Sequence, residues 1–146
     1  MSVNFRCDCP ITSALDVLGD KWMLVIVKQM LLEGRRTFKD FTAGDESIAT
    51  NILATKLKLL EEVGIVRKTK FPNNKKSNLY HLTDMGLSLA PIVVELALWS
   101  DGHLRPLNPI MRSDDAADFM RRDKAAFIEA IQKHYTEQLD AILNPE

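Results

Sequence analysis

Hydrophobic residues recur with helical spacing along most of the chain, and one short segment alternates instead. Leu53, Leu57 and Leu60 are four and three positions apart, which predicts an amphipathic helix from about Thr50 to Val63. Gly64 then ends this helix. The next segments, IVRKTKF and NLYHL, favour β-structure and flank the turn-forming stretch PNNKKS, so we predict a β-hairpin directly after the helix.

Three more helices are predicted before this one. The first begins with Pro10 in its first turn and ends before Gly19. The second runs from Lys21 to Glu33 with Asp20 as its N-cap, and it is apolar nearly all round, so it should lie in the core. A short third helix is expected at about Thr37–Ala43, because a Thr and an Asp stand there at capping-box spacing.

The pattern after the hairpin predicts two long helices and a linker. One helix, capped by Thr83, should run to about Leu98 or Trp99 despite an internal Pro91, and the last should run from Ser113 to about Leu143. The fold class is therefore mainly α with a small β-hairpin, in the order of a winged helix-turn-helix. We divide it into a DNA-binding domain with dimerising helices at residues 1–105 and a C-terminal helical extension at residues 106–146.

Composition adds limits to this picture. The 146 residues are 46% hydrophobic and 27% charged, as expected for one globular domain with an appended helix. The longest apolar run, Trp22 to Val27, is far shorter than the roughly 18 residues of a membrane span. The polar N-terminus has no apolar signal segment, and there are two cysteines, so we expect a cytoplasmic protein with no membrane partner.

Charge is distributed unevenly although the net charge is only -1. From Ala49 to Leu82 there are 7 Lys and Arg residues against 2 Asp and Glu, whereas from Thr83 to Glu146 there are 6 against 11. A cationic segment in an otherwise acidic chain is typical of a polyanion-binding surface. A solvated charged face would give the same count, so only the position of the charges can distinguish it from a polyanion-binding surface.

The cationic segment contains the predicted helix and the hairpin that follows it. On a helical wheel, Asn51, Thr55 and Lys58 lie opposite the leucine face with Ala54 at the edge, where side chains could read base edges in the major groove. The hairpin, or wing, should neutralise phosphates, while its asparagines either touch DNA or shape the turn. The candidates in the wing and at the helix start are Thr50, Lys68, Lys70, Asn73, Asn74, Lys75, Lys76 and Asn78.

Several motifs together resemble one family. The segments CPITSALDVLGDKWMLVIVKQML, LKLLEEVGIVRKTKFP and YHLTDMGLSLAPIVVELALW are similar to those of HxlR-type winged helix-turn-helix transcriptional regulators, over about Cys9 to Trp99. The resemblance implies a bacterial or archaeal regulator that binds partly palindromic operators in double-stranded DNA as a homodimer. The chain departs from the family pattern at Ala49, where the N-cap is usually Ser, and in its longer tail.

Dimerisation also has a physical argument. One recognition helix contacts few base pairs, whereas a two-fold dimer presents two recognition helices about 34 Å apart. Apolar positions on the first helix and on the last two helices could form the dimer surface. The alternative for the last helix is that its stripe folds back on its own core. The named candidates are Ile92, Leu96, Trp99, Phe127 and Ile131.

The two cysteines form the only other chemical feature we single out. Members of the resembled family include redox and electrophile sensors that use the Cys of a Cys-Pro dipeptide, which is Cys9 here. A helix N-terminus favours the thiolate, whereas the neighbouring Asp8 opposes it. Cys7 is the second candidate, and a disulfide between such close neighbours would be strained, so oxidation would more plausibly join two protomers. Cys9 could equally be a small buried thiol.

The sequence favours no catalytic, metal or cofactor site. Two cysteines without further ligands at metal spacing do not form a zinc site, and no phosphate-binding glycine loop or nucleophile elbow is present. The expected function is a DNA-binding transcriptional regulator that responds to a small-molecule or oxidant effector. The alternative is a winged-helix protein–protein adaptor without sequence-specific DNA binding.

Overall fold

The computed structural model describes residues 3–145. Within this range the chain is mainly helical with one two-stranded antiparallel sheet, which confirms the predicted fold class. The elements are α1 Pro10–Leu18, α2 Met23–Glu33, α3 Phe38–Thr42, α4 Thr50–Val63, β1 Val66–Phe71, β2 Asn74–Leu82, α5 Asp84–Leu87, α6 Ala90–His103, α7 Asp115–Arg122 and α8 Lys124–Leu143.

Polar side chains bind the first amides of α2 and α3. The prediction of Asp20 as the N-cap of α2 is wrong, because α2 starts two residues later than predicted and Trp22 stands at its N-cap. The Asp20 carboxylate still accepts hydrogen bonds from the backbone amides of Trp22 (2.7 Å) and Met23 (2.9 Å). The predicted capping box is present in α3, where Thr37 accepts from the Asp40 amide and Asp40 accepts from the Thr37 amide. These side chains satisfy amides that have no partner inside the helix.

The predicted bounds of α4 are confirmed. Its Leu53, Leu57 and Leu60 are buried, and Ala49 stands at the N-cap without a side-chain hydrogen bond. Gly64 has a φ of 98°, a left-handed conformation that favours glycine at the end of a helix. The helix is therefore fixed by its apolar face and its C-terminal glycine.

The turn between α3 and α4 is bound to α2. In it, Glu46 accepts hydrogen bonds from Lys28 Nζ (2.5 Å) and Gln29 Nε2 (2.8 Å), and Gln29 is itself buried. A Cβ atom at Gly44 would lie 2.6 Å from the Gln29 side-chain nitrogen, so a larger residue there would have to displace the Gln29 amide. These contacts set the position of α3 and α4 on the core.

The wing is an antiparallel hairpin with a tighter turn than predicted. Only Pro72 and Asn73 lie between the strands, and the predicted turn residues that follow them belong to β2. Residues 75–77 have no opposite residue on β1 and form a bulge, which makes the tip protrude. On either side of this bulge the pairs are Phe71–Asn74 and Lys70–Asn78.

Thr83 is the predicted cap, and its hydroxyl accepts from the Gly86 amide at 3.2 Å, but the single helix predicted after it is wrong. The structure has two helices, α5 and α6, with Ser88 and Leu89 between them, and α6 extends to His103. Pro91 lies in the first turn of α6, where its missing amide breaks no helical hydrogen bond. The proline therefore marks a helix start and not a defect inside a helix.

The single C-terminal helix is also wrong. Asp123 separates α7 from α8, and its carboxylate accepts from the Ala126 amide at 3.1 Å to cap α8. Asp114, and not the predicted Ser113, caps α7 through the Ala117 amide at 3.0 Å. Each helix therefore begins at its own acidic cap, and the cap at Asp123 ends the helical run from α7 into α8.

The C-terminal helices pack on the same core as α2 and α4. Tyr135 of α8 is buried in the cluster that contains α2 and α4 side chains. Phe127 is 6% exposed and packs with Val94 and Met120, so its predicted place on a dimer surface is wrong. Ile131 is half-buried against the same cluster, and the α8 stripe therefore covers the chain's own core.

One stretch, Asp84–His103, is long and apolar enough to cross a membrane by length and composition, with a mean hydropathy of 1.2. Its Ala90, Val93 and Val94 are buried in the two core clusters. Core helices commonly have this composition, so the stretch is weak support for a membrane span.

Candidate nucleic-acid interface

The outward face of α4 carries the residues predicted to read DNA. Asn51, Ala54, Thr55 and Lys58 are all exposed, on the side opposite the buried leucines. The Thr55 hydroxyl donates to the Asn51 carbonyl oxygen at 3.0 Å, so its proton is used inside the helix and its oxygen remains an acceptor. Thr50, at the first position of α4, is also exposed.

A neighbouring lysine has a different task. Lys56 Nζ lies 2.6 Å from Asp20 Oδ2, and Asp20 in turn binds the Trp22 and Met23 amides at the start of α2. Partial burial raises the pKa of Asp20, but the hydrogen bonds from Lys56 and from the Met23 and Trp22 amides lower it overall. Lys56 therefore positions α4, which the sequence pattern did not reveal.

The wing asparagines mostly shape the hairpin. Asn74 accepts from the Lys76 amide at 3.1 Å and donates to the Ser77 hydroxyl at 2.9 Å, so it organises the bulge. Asn78 accepts from Lys70 Nζ at 2.7 Å across the strands. Asn73 is exposed in the turn, and among the described residues no hydrogen bond involves its side chain.

Six exposed cations in this region take part in no ion pair within residues 3–145: Lys58, Arg67, Lys68, Lys70, Lys75 and Lys76. Five are on the wing and one is on α4, so their positive charge is available to an anionic partner. Arg67 was not among the predicted residues, although the charge count of the same segment includes it. The arrangement can neutralise phosphates beside a helix of the width that fits a major groove.

The N-terminal segment is held on α1 by an ion pair. Arg6 Nε lies 2.6 Å from Asp16 Oδ1, and the Arg6 amide donates to the other carboxylate oxygen at 3.1 Å. Cys7 is exposed, and Cys9 is half-buried at the N-cap of α1. Although the Cys9 sulfur forms no capping hydrogen bond of good geometry, the amide and hydroxyl of Thr12 and the Ile11 amide lower the pKa of its thiol.

Apolar side chains remain exposed on α1 and α6. None of the nine residues of α1 is buried, and Ile11 and Leu15 are 73% and 54% exposed. On α6, the predicted dimer residues Ile92, Leu96 and Trp99 are between 42% and 57% exposed. They stand four and three residues apart and so share one face of the helix.

Sequence comparison with known families identifies this arrangement. The family described as HxlR-like helix-turn-helix matches residues 17–108. The chain belongs to the HxlR-like helix-turn-helix family. It is therefore a transcriptional regulator of the HxlR type.

Two relatives of this HxlR-type regulator come from Bacillus subtilis (strain 168). The transcriptional regulator YvaP, described as uncharacterized, is 34% identical over 99 residues, which cover 67% of this chain and 91% of the relative. The transcriptional regulator YodB is 32% identical over 99 residues, which cover 67% of this chain and 88% of the relative.

Solved structures agree with the family. PA1607, described as a putative transcription factor, matches with a TM-score of 0.62 and 30% identity over 75% of this chain and 71% of its own. The redox regulator HypR in its reduced form matches with a TM-score of 0.59 and 29% identity, covering 69% of this chain and 99% of its own. The HxlR-like core and its wing thus recur in related proteins, whereas the family match ends before α7.

Proposed function

We propose that this HxlR-type regulator acts in the cytoplasm and binds a partly palindromic operator in double-stranded DNA as a homodimer. The observation that carries the proposal is the combination of an exposed polar face on α4 with unpaired cations on the adjoining wing. A reading helix supplies sequence discrimination, and cations beside it supply affinity for any duplex.

The proposed DNA contacts fall into two groups: side chains of α4 that contact base edges, and side chains of the wing that neutralise phosphates. On α4, Asn51 can form two hydrogen bonds with adenine, Lys58 can donate to guanine, and Ala54 can contact a thymine methyl group. The wing neutralises phosphates through Lys68, Lys70, Lys75 and Lys76, joined by Arg67. Thr50 at the helix start can donate its amide to a phosphate, and the exposed Asn73 remains a neutral contact.

The apolar surface of α1 and α6 supports the homodimer. A nine-residue helix such as α1 is too short to be stable alone, and none of its residues is buried in the chain. Its Ile11 and Leu15 and the stripe of Ile92, Leu96 and Trp99 on α6 would be covered by a second copy. Two-fold symmetry then presents two α4 helices to half-sites about one DNA turn apart.

Cys9 is the proposed redox or electrophile sensor, with Cys7 as the second candidate. HypR is described as a redox regulator, and one YodB structure is described as quinone-bound. Here the depressed pKa of the Cys9 thiol and its position at the start of α1 favour reaction close to the proposed dimer surface. With diamide as oxidant, two Cys9 thiols would lose two electrons and two protons to diamide and form one interchain disulfide.

Selection of bound duplexes from a random pool, performed with reduced and with diamide-treated protein, tests the proposal. The expected result for reduced protein is a partly palindromic site with half-sites about one turn apart. Treated protein should select the site poorly, while Cys9→Ser protein should be unaffected by diamide. Recovery of random sequence with no enrichment would overturn sequence-specific binding and favour the adaptor alternative.

A further inference from the structure

A groove of about 990 Å³ lies between α2 and α6 on one side and α7 and α8 on the other. Leu32 of α2 and Leu96 of α6 line one wall, while Met120 of α7 and Phe127 of α8 line the other. The second wall follows residue 108, where the family match ends. The volume of the groove is at the upper end of the range of small-molecule sites, about 300–1,000 Å³.

The cations and carboxylates at the rim of the groove are equal in number and pair with one another. The four cations and four carboxylates are all engaged in ion pairs, so a charged ligand would have to compete with a partner that is already in place. The rim pairs are Lys28 with Glu33 (2.6 Å) and Glu46 (2.5 Å), Arg105 with Asp101 (2.5 Å), Arg121 with Asp101 (2.8 Å), and Arg112 with Asp114 (3.7 Å). Within residues 3–145, no buried side-chain polar atom lacking a partner lines the groove.

We infer that this groove binds an uncharged, lipophilic small molecule, and that the bound ligand stabilises the wing through its contacts with α8. More than half of the lining residues are apolar, and the polar rim offers no free charge or unused buried donor. Recognition then rests on shape and apolar area. Neither the binding nor its effect on the wing depends on DNA; only the consequence for DNA binding rests on the proposed function.

The connection from α8 to the wing is one buried hydrogen bond with two part-buried contacts beside it. The Leu82 amide, at the end of β2, donates to the Tyr135 hydroxyl at 2.8 Å. The Arg36 guanidinium lies 5.7 Å from the centroid of the same ring, and Gln132 Nε2 donates to the Leu87 carbonyl at 3.0 Å. We call these contacts the α8–wing contact.

Ligand binding should stabilise the α8–wing contact. The groove is already open, so a ligand fills existing space and joins α2 and α6 to α7 and α8 without displacing them. It therefore disfavours separation of α8 from the domain, which is the motion that would release Tyr135 from Leu82. The amides at the base of β2 should exchange more slowly when the groove is filled.

A matched pair of fluorescent probes tests the binding site. N-phenyl-1-naphthylamine is uncharged, and 8-anilinonaphthalene-1-sulfonate has the same rings plus a sulfonate. The uncharged probe should bind saturably at one site per chain, and the sulfonate at least about tenfold more weakly because its charge must be desolvated. No saturable binding, or equal binding of both probes, would overturn the assignment.

Substitutions locate the probe. Ala116→Trp from α7 and Ala97→Trp from α6 each place an indole into the groove and should weaken the uncharged probe at least about tenfold. Ala130→Trp, exposed on α8 outside the groove, should leave it unchanged. If both groove variants bind the probe as the wild type does, the site is wrong. A changed oligomeric state with unchanged probe binding would instead assign the groove to a second copy and overturn the inference.

Hydrogen exchange without DNA tests the effect on the wing, so this test does not depend on DNA binding. Saturating N-phenyl-1-naphthylamine should slow exchange of the Leu82 amide by about threefold or more. In Tyr135→Phe this amide should exchange faster, and the probe should bind but no longer protect it. Protection that persists in Tyr135→Phe would overturn the α8–wing route, whereas failure to bind any duplex would overturn only the proposed function.

Discussion

Removing the wing cations should change the salt dependence of DNA binding more than any other property. Lys75 and Lys76 stand in the bulge at the wing tip, both are exposed, and neither forms an ion pair within residues 3–145. Replacing both with Ala should therefore leave the fold intact and remove two phosphate contacts per protomer. In the proposed dimer this is four contacts.

The size of the effect follows from counterion release. Each neutralised phosphate contributes about 0.9 to the slope of log affinity against log salt, so the slope should become shallower by about 3.6. Between about 50 and 200 mM salt, the wild type should then lose roughly 150-fold more affinity than the variant. The loss should be the same for operator and random duplex, because phosphate contacts carry no sequence information.

Fluorescence anisotropy with a labelled 30-base-pair duplex, at four salt concentrations, measures the slope. The matched control is Lys124→Ala with Lys133→Ala, which removes the same charge from α8. Its slope should stay close to that of the wild type. The reasoning is refuted if the wing variant keeps the wild-type slope, or if the α8 control flattens it equally.

Three further outcomes are expected. Tyr135→Phe leaves the buried Leu82 amide without an acceptor and should lower the free energy of unfolding by about 1–3 kcal/mol in urea titrations, whereas an unchanged value would contradict the α8–wing contact. Burial, with Arg67 nearby, lowers the pKa of His81. The contribution of His81 to the free energy of unfolding is therefore complete above the unfolded-state pKa of about 6.5 and declines as the pH falls below that value. Urea unfolding at several pH values should show this decline, and His81→Gln should make the decline smaller. Leu96→Glu with Trp99→Glu should raise the dimer dissociation constant by about 100-fold or more in sedimentation, and a dimer that persists would place the interface elsewhere.

The sequence predicted the DNA-binding part of the fold well because its signals are local. The leucine spacing and Gly64 define α4, and a Thr–Asp capping box defines α3. β-Favouring runs around Pro72 define the wing. Each of these signals lies within one element and does not depend on its tertiary neighbours.

The C-terminal half was predicted less well because its elements are decided by caps and packing. Pro91 could kink a helix or start one, and the helical pattern continues on both sides of Asp123. The apolar stripe with Phe127 is the same whether it covers the chain's own core or a partner, and the structure shows the former. Periodicity specifies that a face is buried but not what buries it.

The same limit applies to the candidate site. Composition counts Lys56 and Lys58 alike, yet Lys56 is paired with Asp20 and Lys58 is exposed without an ion pair within residues 3–145. Asn74 is a turn former and a plausible DNA contact by type, and its hydrogen bonds within the bulge assign it to shaping the wing. Only tertiary contacts separate positioning residues from those with free groups.

Comparison of two double variants on operator and scrambled duplex tests the division between α4 and the wing most directly. Asn51→Ala with Lys58→Ala should lose about 1–3 kcal/mol of discrimination for each base contact, so its operator preference should fall at least about tenfold while it still binds scrambled duplex. Lys75→Ala with Lys76→Ala should weaken binding to both duplexes equally and keep the preference. If the wing variant loses the preference and the α4 variant keeps it, α4 is not the reading helix.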